Sequence, residues 1–161
     1  MDYPGPQVVE IFERLGFTHV VWLPDTALGP WEAAIEASNQ IQLIRVCREG
    51  EAWAIAAGLF LGGSSPLVVI QNTGLFESGD AMRNVLFDLS MPLLAVVGYR
   101  SALNAQSTDS ARAFTEPVLA AWGLDTVIVS SADELPKMAE HFERCRLAGE
   151  PGVVLVAEGR M

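Results

Sequence analysis

Two glutamates at the start of an alanine-rich segment are the residues best placed to carry proton chemistry. Glu49 and Glu51 lie in CREGEAWAIAAGLFL, directly after the apolar run IQLIRV. One interpretation is structural, because acidic residues in the first turn of a helix complement its dipole. The other is chemical, because a carboxyl held in an apolar pocket at the end of a strand can share a proton with a ring nitrogen. The residues alone leave both interpretations open.

Three more polar segments follow apolar runs and could line the same site. Asp25 and Thr26 of the Pro24-Asp25-Thr26 segment could cap a helix or contact a ligand. In Gln71-Asn72-Thr73-Gly74, which we interpret as a turn, the glycine permits a close backbone approach. Arg100 follows another apolar run, and its guanidinium suits either an anionic substrate group or one of the 20 acidic residues.

Composition and missing motifs exclude several classes of function. The 20 acidic and 10 basic residues give a net charge of −10, which disfavours nucleic acid and anionic membranes as partners. The patterns GxGxxG, GxxxxGK[ST] and GxSxG are absent, and the two cysteines are not in a CxxC pair. His19 and His141 have no metal-binding spacing, and we interpret His141 as part of a solvent-facing helix. We expect no metal ligands in this chain, no signal peptide and a cytoplasmic location.

Alternating helical and strand patterns predict an α/β fold. Helices are predicted over 7–15, 30–38, 49–61, 78–86, 115–122 and 133–148, and strands over 18–23, 41–46, 67–71, 92–97, 126–129 and 152–157. Six apolar strands separated by helices predict a three-layer, doubly wound, six-stranded parallel sheet in one domain over residues 1–161. In such sheets ligands bind at the carboxyl ends of the strands, where Glu49 and the three polar segments are expected to meet.

The pieces LPDT, CREGEAWAIAAGLFLGG, PLVVIQNTGLFESGDAMRN and MPLLAVVGYR resemble, in this order, the thiamine diphosphate enzymes. Within that group they are most similar to the pyrimidine-binding domain of the sulfopyruvate and phosphonopyruvate decarboxylases. The resemblance covers about residues 7–157. It implies the thiamine diphosphate-binding fold and an alpha-type subunit of a 2-oxo acid decarboxylase.

The resemblance assigns roles to the residues already singled out. Glu49 would bond N1′ of the coenzyme's aminopyrimidine and activate it as the catalytic carboxylate. Pro24, Asp25, Thr26, Gln71, Asn72, Thr73 and Gly74 would lie beside the coenzyme or substrate, and Arg100 would face an anionic three-carbon 2-oxo acid. The reaction would release carbon dioxide from sulfopyruvate or phosphonopyruvate.

A separate chain is expected to complete the coenzyme site. The family binds the diphosphate and Mg²⁺ through a second domain bearing a GDG motif and a later asparagine. Gly79-Asp80-Ala81 with Asn104 imitates that spacing, but the first three residues lie in a helical pattern and not after an apolar strand. The resemblance therefore implies a hetero-oligomer in which thiamine diphosphate is shared and a beta subunit holds the magnesium.

The sequence also departs from the family's pattern. Arg48 and Glu51 stand where the family usually has asparagines, and QNTGLFE replaces QNSGLGN. These departures leave two alternatives open: a carboligase or other acyl-transfer subunit that uses the same coenzyme, and a non-catalytic partner subunit that kept the fold.

Overall fold

A parallel sheet of six strands forms the centre of the molecule. The computed structural model describes residues 3–26 and 28–159. The strands are His19–Trp22 (β1), Gln42–Arg45 (β2), Pro66–Gln71 (β3), Leu94–Tyr99 (β4), Asp125–Val129 (β5) and Gly152–Ala157 (β6). They lie in the order β2-β1-β3-β4-β6-β5, and each neighbouring pair is parallel. The predicted sheet is confirmed.

Helices pack on both faces of this sheet. They are Gly5–Arg14 (α1), Glu32–Ala37 (α2), Glu49–Leu61 (α3), Asn72–Glu77 (α4), Gly79–Arg83 (α5), Ser110–Ala121 (α6) and Leu135–Ala148 (α7). Short 3-10 turns, Gly29–Trp31 and Ala132–Glu134, precede α2 and α7, and a π-helical turn, Asn84–Asp88, follows α5. Within the described residues, no helix combines the length and apolar character needed to cross a bilayer.

The alternation of side chains along each strand divides the core into two layers. Val20 and Trp22 pack on one side with residues of α1, α2 and α7, whereas Val21 packs on the other with residues of α3 to α6. The central strands β3, β4 and β6 are buried on both faces, which explains why they appear in the sequence as continuous apolar runs. This three-layer arrangement is the predicted one.

The structure corrects the predicted turn after β3. Asn72, Thr73 and Gly74 form the first turn of α4, which begins as soon as Gln71 leaves the strand in an extended conformation. The glycine has no positive φ, so it occupies an ordinary helical position. Burial of Leu75 in the core outweighs the turn preference of the preceding residues.

Other predicted boundaries also shift. Gly98 lies inside β4, and α6 begins at Ser110 because the Asp109 side chain accepts a hydrogen bond from the Ala111 N–H and caps it. Ser78 precedes α5, but its hydroxyl does not cap that helix and instead donates to the Gly74 carbonyl. His141 was predicted to face solvent, but it is 1% exposed.

Candidate active site at the carboxyl edge of the sheet

The polar segments singled out in the sequence follow strands at one edge of the sheet. The end of β1 at Trp22 is in register with Arg45 of β2 and Val69 of β3, and Gln71 is in register with Gly98 of β4. The chain leaves β1 toward α2 on one face and leaves β3 toward α4 on the other. The crevice between β1 and β3 is therefore the topological switch point, where α/β sheets bind ligands.

Glu49 is the first residue of α3, and its side chain lies against the backbone of α4. A Cβ atom built on Gly74 would lie 2.3 Å from Cγ of Glu49 and 2.4 Å from Oε1. Only a glycine at position 74 leaves room for this carboxylate. The sequence predicted a close backbone approach at Gly74, and the group that approaches is Glu49.

Two nearby carboxylates have structural partners. Oε2 of Glu51 accepts hydrogen bonds from the N–H groups of Cys47 and Arg48, at 3.0 and 3.2 Å, and so holds the start of α3. Oε2 of Glu77 accepts from the Gly50 N–H at 3.0 Å, and its Oε1 binds the Arg48 guanidinium. Of the three carboxylates, Glu49 alone has no hydrogen bond or ion pair within the described part of the chain.

Buried side chains behind Gly74 fix its position. The indole Nε1 of Trp53 donates to Oγ of Ser78 at 3.1 Å, and that hydroxyl donates to the Gly74 carbonyl at 2.7 Å. Trp53 is fully buried, and Ser78 is 1% exposed. Because Trp53 lies one helical turn after Glu49, this chain of hydrogen bonds ties α3 to α4 directly beneath the carboxylate.

Asp25 closes the turn after β1, but it does not cap a helix, because the 3-10 turn that follows has Leu28 at its N-cap and no side-chain cap. Its Oδ1 accepts from the Leu28 N–H at 2.9 Å, and its carbonyl accepts from Gly29 at 3.0 Å. Pro24 and Asp25 are half-buried, and Thr26 is exposed. The structure thus places this segment at the end of β1, and its predicted contact with a ligand stays a prediction.

Glu158 is a further candidate residue that the sequence analysis did not single out. It follows β6, and its Oε1 is buried with no hydrogen-bond partner among residues 3–26 and 28–159. Burial raises the pKa of Glu158 to about 7, the negative charge of Asp25 adds to the increase, and the Arg100 guanidinium opposes it. This carboxyl therefore changes its charge near neutral pH. Only its place after an apolar strand could have marked it in the sequence.

The polar side chains at the end of β3 have different environments. Oε1 of Gln71 accepts a hydrogen bond from the Thr73 hydroxyl at 2.8 Å. The fully buried Asn72 instead donates its amide to Thr115 of α6 at 3.2 Å. Gln71 and Thr73 therefore remain near the open edge, whereas the Asn72 side chain packs against α6.

Arg100 lines an open cleft beside Thr73. The cleft has a volume of about 590 Å³ and lies between α4 and α6, with Phe76 and Phe114 in its walls. The guanidinium binds both carboxylate oxygens of Asp109, at 2.9 and 3.2 Å, which keeps the pKa of that acid below its ordinary value. The ion-pair alternative from the sequence is what the structure shows.

A second cluster of titratable groups lies at the opposite edge of the sheet, where β5 begins. Asp125, His141 and Cys145 bring potential metal-ligand atoms within 4.8 Å of one another. However, Nη2 of Arg144 is 2.7 Å from Oδ2 of Asp125 and 2.9 Å from Nδ1 of His141. A guanidinium thus already supplies the positive charge here. Burial raises the pKa of Cys145 to about 11, so its thiol stays protonated.

Comparison with known proteins identifies decarboxylases as relatives. No family model matches the chain. It is 27% identical to sulfopyruvate decarboxylase of Methanosarcina acetivorans over 162 residues, which covers 96% of the chain and 40% of that protein. It is 30% identical to phosphonopyruvate decarboxylase of Streptomyces viridochromogenes over 86 residues, covering 53% of the chain and 22% of that protein.

A third relative is described as a subunit. Over 72 residues the chain is 32% identical to sulfopyruvate decarboxylase subunit alpha of Methanocaldococcus jannaschii, covering 45% of the chain and 43% of that protein. The predicted resemblance is confirmed. In each of these comparisons the match spans less than half of the relative's length.

Proposed function

We propose that this chain is the alpha subunit of a thiamine diphosphate-dependent 2-oxo acid decarboxylase. Its substrate is sulfopyruvate or phosphonopyruvate, and the reaction releases carbon dioxide. A separate beta subunit binds the diphosphate and Mg²⁺, and the two chains share the coenzyme. The decarboxylase relatives support the reaction class, and the relative described as an alpha subunit supports a partner chain.

The observation that carries the proposal is the difference between Glu49 and the two carboxylates near it, Glu51 of α3 and Glu77 of α4. Glu51 accepts hydrogen bonds from backbone N–H groups, and Glu77 binds both a backbone N–H and the Arg48 guanidinium. Glu49, in contrast, is half-buried, and its carboxylate oxygens have no partner in the described chain. A half-buried carboxylate at a switch point suits a ligand that presents a hydrogen-bonding nitrogen. An aminopyrimidine ring has such a nitrogen, so these residues fit the coenzyme.

In this proposal the chain's own residues bind, orient and exchange one proton. Glu49 holds that proton at the ring nitrogen of the aminopyrimidine. Gly74 lets the carboxylate lie close to α4, and the Trp53–Ser78 hydrogen bonds keep it there. Bound thiamine diphosphate supplies the carbon nucleophile and the electron sink. Proton transfer by a positioned side chain contributes on the order of 10²–10⁴-fold to the rate.

The polar segments complete the proposed site. Pro24, Asp25 and Thr26 after β1, together with Gln71, Asn72, Thr73 and Gly74 after β3, border the coenzyme or the substrate. Arg100 lies on the open cleft beside Thr73 and offers its guanidinium to the acidic group of the substrate. That role requires the substrate to compete with Asp109 for the same donor.

The experiment uses the chain co-expressed with its diphosphate-binding partner. We expect Glu49→Gln to lower the decarboxylation rate by on the order of 10²–10⁴-fold, because the amide cannot exchange the proton. Glu51→Gln is the matched control, because the glutamine side-chain oxygen can still accept the hydrogen bonds from the N–H groups at the start of α3. A Glu49→Gln enzyme that decarboxylates at the wild-type rate would falsify the mechanism.

Two further measurements separate the alternatives. Calorimetry with thiamine diphosphate and Mg²⁺, with and without the partner chain, should show binding only in the assembled enzyme. No heat in either case would favour a non-catalytic subunit. Product analysis with pyruvate and an aldehyde acceptor would reveal carboligation if that were the reaction.

A further inference from the structure

The start of α3 carries a cation beside the carboxylate that the proposed function requires. Arg48 directly precedes Glu49, and its guanidinium interacts with Glu77 by hydrogen bonds and with Glu51 and Glu49 through charge. The Arg48 side chain is 72% exposed, so burial does not hold it in place. A guanidinium that turned onto Glu49 would use the oxygens that a coenzyme nitrogen needs.

Glu77 binds groups on both sides of Glu49. Its Oε1 accepts hydrogen bonds from Nε and Nη2 of Arg48, at 2.9 and 2.8 Å. Its Oε2 accepts from the N–H of Gly50 at 3.0 Å. The residues immediately before and after Glu49 are therefore both tied to one carboxylate at the end of α4.

We propose that Glu77 is a positioning residue for Glu49. Glu77 holds the Arg48 guanidinium away from the Glu49 carboxylate and fixes the first turn of α3. The proposal rests on the proposed function in so far as Glu49 is the residue that meets the coenzyme. An exposed ion pair contributes little to stability, so the main consequence of this contact is the orientation of its neighbours.

This contact joins two residues that depart from the family's sequence pattern. Arg48 replaces an asparagine before Glu49, and Glu77 replaces the asparagine that ends QNSGLGN. The two residues meet in one ion pair.

The test compares Glu77→Ala, Arg48→Ala and the double variant in the assembled enzyme. We expect Glu77→Ala to weaken thiamine diphosphate binding about tenfold, because Arg48 is released onto Glu49. Arg48→Ala should stay within about threefold of wild type, and the double variant should return to about that level. Such rescue is not expected of a residue that only stabilises the fold.

A second measurement is independent of the coenzyme. Amide hydrogen exchange of Gly50, measured by NMR on the full chain, should be about tenfold faster in Glu77→Ala and in the double variant. Glu134→Ala is the matched control, because Glu134 also binds a backbone N–H, that of Ser130, and a cation, Lys137, at the start of another helix. It should change neither coenzyme binding nor Gly50 exchange.

The outcomes separate this proposal from the proposed function. Unchanged coenzyme binding or unchanged Gly50 exchange in Glu77→Ala would overturn the positioning role, and so would a double variant as impaired as Glu77→Ala. If the coenzyme part of the proposed function is wrong, the wild-type enzyme itself binds no thiamine diphosphate. In that case Gly50 exchange still decides whether Glu77 holds the start of α3.

Discussion

The contact between Gly74 and Glu49 gives the most direct prediction. In Gly74→Ala the new methyl group would lie 2.3 Å from Cγ and 2.6 Å from Cδ of Glu49. An ordinary contact between such atoms is at least 3.4 Å, so the carboxylate must move by about 1 Å. A displacement of about 1 Å at a reacting group can cost on the order of 10²-fold in rate. We therefore expect decarboxylation to fall about 100-fold in the assembled enzyme.

The same substitution should leave the fold intact. Alanine is more favourable than glycine inside a helix by roughly 0.5–1 kcal/mol, and this gain offsets the cost of moving one side chain. Thermal unfolding should therefore shift by no more than about 4 °C. Gly58→Ala in α3 is the control, because its methyl group would meet no atom within 4 Å. A Gly74→Ala enzyme with at least half of the wild-type rate would refute the reasoning.

Two further predictions concern stability. The pKa of Glu158, raised to about 7 from 4.5, means that the folded state binds its proton more tightly than the unfolded state does. The free energy of unfolding should therefore fall by about 1–3 kcal/mol between pH 4.5 and 7. Glu158→Gln should remove this part of the pH dependence, measured by urea titrations. A Glu158→Gln variant with the wild-type pH profile would contradict the prediction. Ser78→Ala should lower the free energy of unfolding by about 1–3 kcal/mol, because it leaves the buried Trp53 N–H without its acceptor. An unfolding midpoint equal to that of wild type would contradict this prediction.

The fold could be predicted because its signals are strong and local. The run Leu67–Ile70 is apolar throughout, as a strand buried on both faces must be, and α3 and β6 match their predicted bounds. The start of α4 could not be predicted, because asparagine and glycine favour turns, whereas the burial of Leu75 depends on packing that the local sequence does not reveal. His141 was misassigned for a similar reason, since helical spacing does not reveal which neighbours bury one polar residue.

The candidate site was predictable only in part. Glu49 could be singled out because it follows a strand, opens a helix and lies in the stretch that resembles the decarboxylases. That Glu49 has no partner among the described residues could not be predicted, because it depends on Glu51 and Glu77 being bound elsewhere. The contact between Arg48 and Glu77 joins residues 29 positions apart, so it appears only after α3 and α4 have packed.

The two cysteines differ in exposure, which allows one of them to be labelled selectively near the site. Cys47 is exposed and lies two residues before Glu49, whereas Cys145 is buried and its pKa is about 11. A maleimide dye should therefore label the wild-type chain at one position, with no engineered thiol. The fluorophore would then stand two residues from Glu49, where its anisotropy and emission would follow the arrival of a second polypeptide in real time.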